Sequence, residues 1–147
     1  MTGSTRELYQ GVILEHNRAP RNYRGMADAT ASAEGRNPLC GDEVTVFVKV
    51  ENGVVQDVSF QGNGCAVSRA SASLMTQAVR GRPVPEAQRL FETFHTLMTH
   101  APDPDGIVPA ELGKLAVLNG VRAFPMRVKC ATLAWHALNT ALLEPSD

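Results

Sequence analysis

From Val44 to Val50 every second residue is a valine, with Thr45, Phe47 and Lys49 between them. After Glu51-Asn52-Gly53 a second alternation sets Val58 and Phe60 among Asp57, Ser59 and Gln61. A period of two sends neighbouring side chains to opposite faces of a strand, so the two stretches read as an antiparallel hairpin with one buried face. Its register decides which distant residues meet. A two-residue loop at Asn52-Gly53 sets Val46 opposite Ser59 and Val48 opposite Asp57, which wastes one apolar face. A three-residue loop, Glu51 to Gly53 with Gly53 left-handed in a bulge, pairs Val46 with Val58 and Val44 with Phe60, and this is the expected register. Extended along the ladder, it carries Cys40 and Asp42 alongside Gly62 and Gly64, just before Cys65.

That juxtaposition gives meaning to the stretch NPLCGDEV at residues 37–44. In an extended segment residues i and i+2 project to one side, so Cys40 and Asp42 can address one atom, and Gly41 keeps the space between them clear. Cys65 follows Gly62-Asn63-Gly64 and Cys130 follows Arg127-Val128-Lys129, each at the expected start of a helix, where the positive end of the helix dipole favours thiolate. One point then collects Cys40, Asp42, Cys65 and Cys130. Three thiolates and a carboxylate suit tetrahedral zinc, and soft thiolates equally hold iron in a cluster. The spacing is not that of a zinc finger, since no C-x-x-C occurs, and each cysteine taken singly also fits a small buried apolar residue.

With a divalent ion this set carries a charge of about −2, costly near a core unless cations stand close. Arg127, Lys129 and Arg69 are the candidates to offset it; each also reads as ordinary solvated charge at a helix end. The oxygen ligand is the weaker grip. Cys40, on the same loop, is therefore the candidate to leave the metal while helix-anchored Cys65 and Cys130 hold it, which makes Cys40 the reactive thiol. The histidines compete poorly: His95 and His100 are five apart, wrong for one helical face, and His16 and His136 have no matching ligand near them in sequence. All four read as structural or exposed.

The remainder of the chain supplies helices. Residues 5–19 place Leu8, Val12, Ile13 and His16 on one face of a docking helix, with Thr5 as its cap and Pro20 beyond its end. Residues 21–39, rich in Ala, Gly, Arg and Asn, carry no clear strand period. A helix over 66–80, closed by Gly81, buries Val67, Ala70, Ser71, Leu74, Met75 and Ala78, its small residues serving packing rather than serine chemistry. Leu90, Phe91, Phe94, Leu97 and Met98 mark another helix, ended by the loop at 101–106. A shorter helix starts at Pro109, and the last runs from about Cys130 with Leu133, Ala134, Ala137, Leu138, Ala141 and Leu142 inward.

A chain of 147 residues, 44% hydrophobic and 20% charged, fits one domain over residues 1–147, able to bury about 68 to 70% of its unfolded surface. A net charge of −1 gives no single-sign field, so neither nucleic acid nor an anionic membrane is implied as a partner. No apolar run approaches the roughly 18 residues of a spanning helix and the first residues lack a hydrophobic signal segment, so a cytoplasmic location is expected. Three cysteines, an odd number, argue against a disulfide framework.

NPLCGDEV, GNGCAVSRASASLMTQAV, FPMRVKCATLAWHAL and the opening LYQGVILEHNRAPRN together resemble the iron-sulfur cluster assembly proteins of the IscU, NifU N-terminal and SufU family, along nearly the whole chain. Within it the chain most resembles the SufU type: an insert at about residues 83–108 precedes the third cysteine, and Lys129 stands where IscU-type scaffolds carry histidine. The resemblance implies an α+β fold, a three-stranded antiparallel sheet packed by about five helices, and zinc at Cys40, Asp42, Cys65 and Cys130. It further implies a zinc-dependent, sulfurtransferase-like relay. Cys40 would accept persulfide sulfur from a SufS-type, pyridoxal-phosphate-dependent cysteine desulfurase for delivery to downstream cluster assembly proteins. Two other readings stand beside it: a scaffold that builds a transient iron-sulfur cluster on the same ligands, and a non-catalytic module stapled by zinc.

Overall fold

The computed structural model describes residues 11–38, 41–99 and 110–143. Three antiparallel strands, β1 (Ala31–Asn37), β2 (Asp42–Glu51) and β3 (Val54–Asn63), form one sheet in that order. Helix covers residues 11–18 (α1), then Ala66–Val79 (α2), Val84–Thr99 (α3) and Pro125–Leu143 (α4), with a 3-10 segment over Ala110–Ala123 before α4. This is the α+β arrangement that the resemblance implies. α2 and α4 pack on each other, α4 lies against β1 and β2, and α2 against β3.

β1 falls within residues 21–39, where no period was legible. Its inward positions are Ala31, Ala33, Gly35 and Asn37, which alternate with exposed Ser32, Glu34 and Arg36. The alternation is real, but its buried face is built of side chains too small to stand out as hydrophobic. The small residues have a use: a Cβ on Gly35 would lie 3.1 Å from Leu133 Cδ1, so α4 seats directly on the strand.

The hairpin forms in a different register from the one the valines predict. Val46 pairs with Phe60, Val48 with Val58 and Val44 with Gly62, and the loop is the two-residue Asn52-Gly53 turn between paired Glu51 and Val54. Asn52 (φ 55) and Gly53 (φ 75) are both left-handed, the requirement of a type I′ turn, whose twist matches the strands. The face that such a turn would waste is recovered by a bulge. Pairing shifts from Val50 with Val55 to Lys49 with Asp57, leaving Gln56 as the extra residue. The buried positions of β3 accordingly step by three from Val55 to Val58 and by two to Phe60.

Two helical expectations also change. Leu112, Leu115, Leu118 and Val121 are all buried and recur every third residue, the period of a 3-10 helix, in which residues i and i+3 eclipse. That segment is 3-10 and breaks at Gly113 (φ 52, ψ −125), rather than forming one regular helix; Pro109, its expected start, lies outside the described residues. The last helix begins at Pro125, whose fixed φ and missing N–H suit a first helical position. Cys130 is thus in the second turn, not at the mouth of the helix. Thr5 and Leu8 of the docking helix lie outside the described residues, while Ile13 and His16 are buried as their spacing predicts. Phe94 stacked on Trp135 at 4.9 Å anchors α3 to α4 in the core.

Candidate metal centre

Asp42 opens β2 and Cys65 caps α2. The ladder pairs Val44 with Gly62 and Glu43 with Asn63, so one step further Asp42 comes beside Gly64, with Cys65 next in the chain. The expected register instead set Asp42 against Gly62; the two-residue turn and the one-residue bulge each move the alignment by one, two in all, and so keep the phase. Two glycines make the approach feasible. Gly62 has φ +144, and a Cβ there would lie 2.1 Å from Glu43 O, while a Cβ on Gly64 would meet Ser68 Oγ at 3.0 Å and Asp42 Oδ1 at 3.1 Å.

The contact that results is direct. The backbone N–H of Cys65 donates to Asp42 Oδ1 at 2.9 Å, and Cys65 Sγ lies 4.0 Å from Asp42 Oδ2. Cys65 is the N-cap of α2 (φ −71, ψ 171), and its sulfur accepts the N–H of Ser68 at 3.5 Å. A donor at the positive end of a helix suits a sulfur that carries negative charge. Cys130 is fully buried, with Sγ 3.6 Å from Met126 O one turn back. Ser71 Oγ donates to Ala131 O, tying α2 to α4 one residue from Cys130. Asp42, Cys65 and Cys130 each offer one ligand atom, all within 4.8 Å of one another.

Cys40 lies outside the described residues, so the expected fourth member has no placement here. Gly41 has φ +72, and a Cβ on it would touch nothing within 4 Å, which leaves open space immediately before Asp42. The three expected cations differ. Arg69 starts the turn after Cys65, its N–H bonded to Cys65 O at 3.0 Å, and its guanidinium lies over the Tyr23 ring at 5.4 Å. Arg127 and Lys129 are exposed in the first two turns of α4.

Among the histidines, His16 is buried with Nδ1 2.6 Å from Ser73 Oγ. His95 and His136 pack against one another; His100 is outside the described residues. Two residues close to the centre escaped the sequence reading. Ser68 supplies the N–H to sulfur, and Tyr23 Oη donates to Gly62 O at 2.7 Å while its ring packs edge-on to Phe60 at 5.1 Å. Ser68 was detectable as the third residue of a helix capped by Cys65; Tyr23 had no local signal.

The donor set fits a metal ion. Asp42 is 1% exposed, and among the described residues its carboxylate is met only by Cys65, through one N–H and one sulfur. A buried carboxylate with so little compensation is costly, and a cation among these three ligand atoms supplies what the protein does not. Two sulfurs and one oxygen within 4.8 Å of one another match the ligand chemistry of zinc or iron.

Residues 8–143 match the family described as NifU-like N-terminal domain. The chain belongs to that family. It is 40% identical over 137 residues to the zinc-dependent sulfurtransferase SufU of Bacillus subtilis, covering 93% of this chain and 90% of the relative. It is 38% identical over 140 residues to the iron-sulfur cluster assembly scaffold protein IscU of Streptococcus pyogenes, covering 95% and 86%. Among solved structures, the N-terminal part of a nitrogen-fixing NifU-like protein from Brucella abortus superposes with a TM-score of 0.78 at 25% identity, covering 89% of each chain. The NifU-like fold thus presents its candidate centre where the end of the sheet's central strand and two helices converge. None of the helices in the described residues is long and apolar enough to cross a membrane.

Proposed function

We propose that this NifU-like chain works in iron-sulfur cluster assembly as a sulfur acceptor, taking sulfane sulfur on Cys40 from the persulfide of a SufS-type cysteine desulfurase and passing it to downstream assembly proteins. The observation that carries the reading is the convergence of Asp42, Cys65 and Cys130 on one point around a buried carboxylate. The likeness to a relative named for zinc-dependent sulfur transfer supports it. Cys40, Asp42, Cys65 and Cys130 would hold zinc, which when bound keeps the thiols deprotonated and the centre folded.

The chain's own residues divide the work. Cys65, fixed by the α2 cap, and Cys130, buried in α4, are held by regular structure, whereas Cys40 follows Pro38 in the four-residue connection between β1 and β2. The Cys40 thiolate attacks the outer sulfur of the partner's persulfide; the new S–S bond forms on Cys40, the old one breaks, and the partner's cysteine leaves as thiolate, with no net oxidation. Asp42 stays tied to Cys65 throughout. The pyridoxal phosphate belongs to the desulfurase.

Desulfurase turnover with and without the protein tests this. Cys40→Ala should abolish the stimulation while leaving the fold intact; a variant that keeps its zinc and stimulates like the parent removes Cys40 from the role. A second reading, a scaffold for a transient cluster, is favoured by relatives named as scaffolds. Anaerobic reconstitution with iron and sulfide separates the two: a cluster that forms readily and transfers intact supports the scaffold, and tightly held zinc that blocks assembly supports the relay. A zinc staple without transfer predicts equal protection of all three thiols.

A further inference from the structure

Away from the thiolate centre, His95 on α3 and His136 on α4 meet edge-on, with ring centres 5.0 Å apart and ring planes at 80°. Phe91, one turn before His95, packs on both rings, at 5.5 Å from His95 and 5.4 Å from His136. The pair sits next in sequence to the Phe94–Trp135 stack that locks the two helices together. The backbones that carry the imidazoles are therefore fixed by core packing, and Phe91 restricts the rings from the side.

Two imidazoles that each give one nitrogen to an ion at 2.0–2.1 Å, with a tetrahedral angle between them, place their ring centres about 5 Å apart. The observed ring-centre spacing of 5.0 Å matches that distance. His136 is exposed and His95 half-buried, so an ion and its water have access.

We infer that His95 and His136 form a second metal site, separate from the thiolate centre, for a divalent transition ion that prefers imidazole: zinc, nickel or copper(II). Each ring contributes one nitrogen and keeps its proton on the other. Among the described residues no third histidine, cysteine or carboxylate completes a cluster here. Such a site holds its ion more weakly than the thiolates and exchanges it readily, which suits transient loading rather than a structural staple.

Zinc titration of the full chain, followed in long-range 1H–15N spectra of the imidazoles, reads this site without reference to the thiolates. With the thiolate centre already filled by one equivalent, the His95 and His136 signals should move together as further zinc is added and level off at one more ion per chain, while those of buried His16 stay in place. His95→Gln and His136→Gln should each weaken this binding by at least the roughly 10- to 100-fold that loss of even a supporting group costs, with the helical circular dichroism unchanged. Cys65→Ser should leave the imidazole response intact. Rings that do not respond to millimolar zinc, either glutamine variant binding as tightly as the parent, or a response lost in Cys65→Ser would each overturn the assignment.

Discussion

The backbone N–H of Cys65 reaches Asp42 Oδ1 at 2.9 Å and so ties the first residue of β2 to the cap of α2. This bond carries two opposed demands. It orders the centre, yet it keeps a carboxylate in a site that is 1% exposed.

Those demands separate in Asp42→Asn. The amide oxygen still accepts the Cys65 N–H, and the buried charge is gone, so the metal-free variant should melt at or above the parent's temperature. With zinc present the order reverses, because the variant lacks the anionic ligand and should lose most of the metal-dependent rise in Tm. Calorimetry in chelator and in zinc gives both comparisons, and a variant that gains as much from zinc as the parent would show that Asp42 is not a ligand.

Gly62→Ala attacks the same junction through the backbone. A Cβ there meets Glu43 O at 2.1 Å, at φ +144, so β2 and β3 must part, at a cost of at least about 1–3 kcal/mol. Gly53→Ala, at φ +75 with nothing within 4 Å, costs about 1–2 kcal/mol for its left-handed backbone alone. Zinc content should fall in Gly62→Ala and stay near the parent's in Gly53→Ala. Equal metal loss in both would mean that the centre senses global stability, not the strand junction.

The contrast between those glycines shows what the sequence makes legible. The phase of the valines located a buried face and brought Asp42 toward Cys65, because the two-residue turn and the bulge each shift the pairing by one and together preserve the phase. The register itself was hidden in Asn52-Gly53, a strong type I′ signal outweighed by an apparent mismatch that Gln56 resolves off the ladder. β1 is hard to see because its inner face is alanine, glycine and asparagine, and Cys130 lies deeper in α4 than its spacing suggests because Pro125, elsewhere a helix breaker, starts that helix. The His95–His136 contact had no trace in linear spacing, since two helices in tertiary contact create it.

His16 gives a pH dependence of known sign. Burial lowers its proton affinity, and Arg21 and Lys114 act the same way against the weaker pull of Glu15. Ser73 Oγ accepts the Arg21 N–H at 2.8 Å, leaving its hydroxyl to donate to neutral Nδ1. The folded value is thus depressed below the unfolded one near 6.5, so this contribution is full above pH of about 6.5 and is lost as pH falls through that value toward the folded pKa. Denaturant unfolding of the metal-free chain from pH 7.5 to 5 should show a positive slope of stability with pH, flatter in His16→Asn. Parallel curves for the two proteins would exclude His16 as the source.

Cys65→Ser distinguishes the two roles that one side chain holds. As the N-cap of α2, Cys65 accepts the Ser68 N–H through sulfur at 3.5 Å, a long contact to a weak acceptor. A serine hydroxyl is among the preferred caps for this bond, so the metal-free variant should be as stable as the parent or more so, by up to about 1 kcal/mol. As a metal ligand it should fail, since a neutral hydroxyl replaces a thiolate, and both zinc content and the zinc-dependent gain in Tm should drop sharply. Paired melts in chelator and zinc, with metal analysis, read the two effects apart. A serine variant destabilised equally in both conditions would place the value of Cys65 in packing alone.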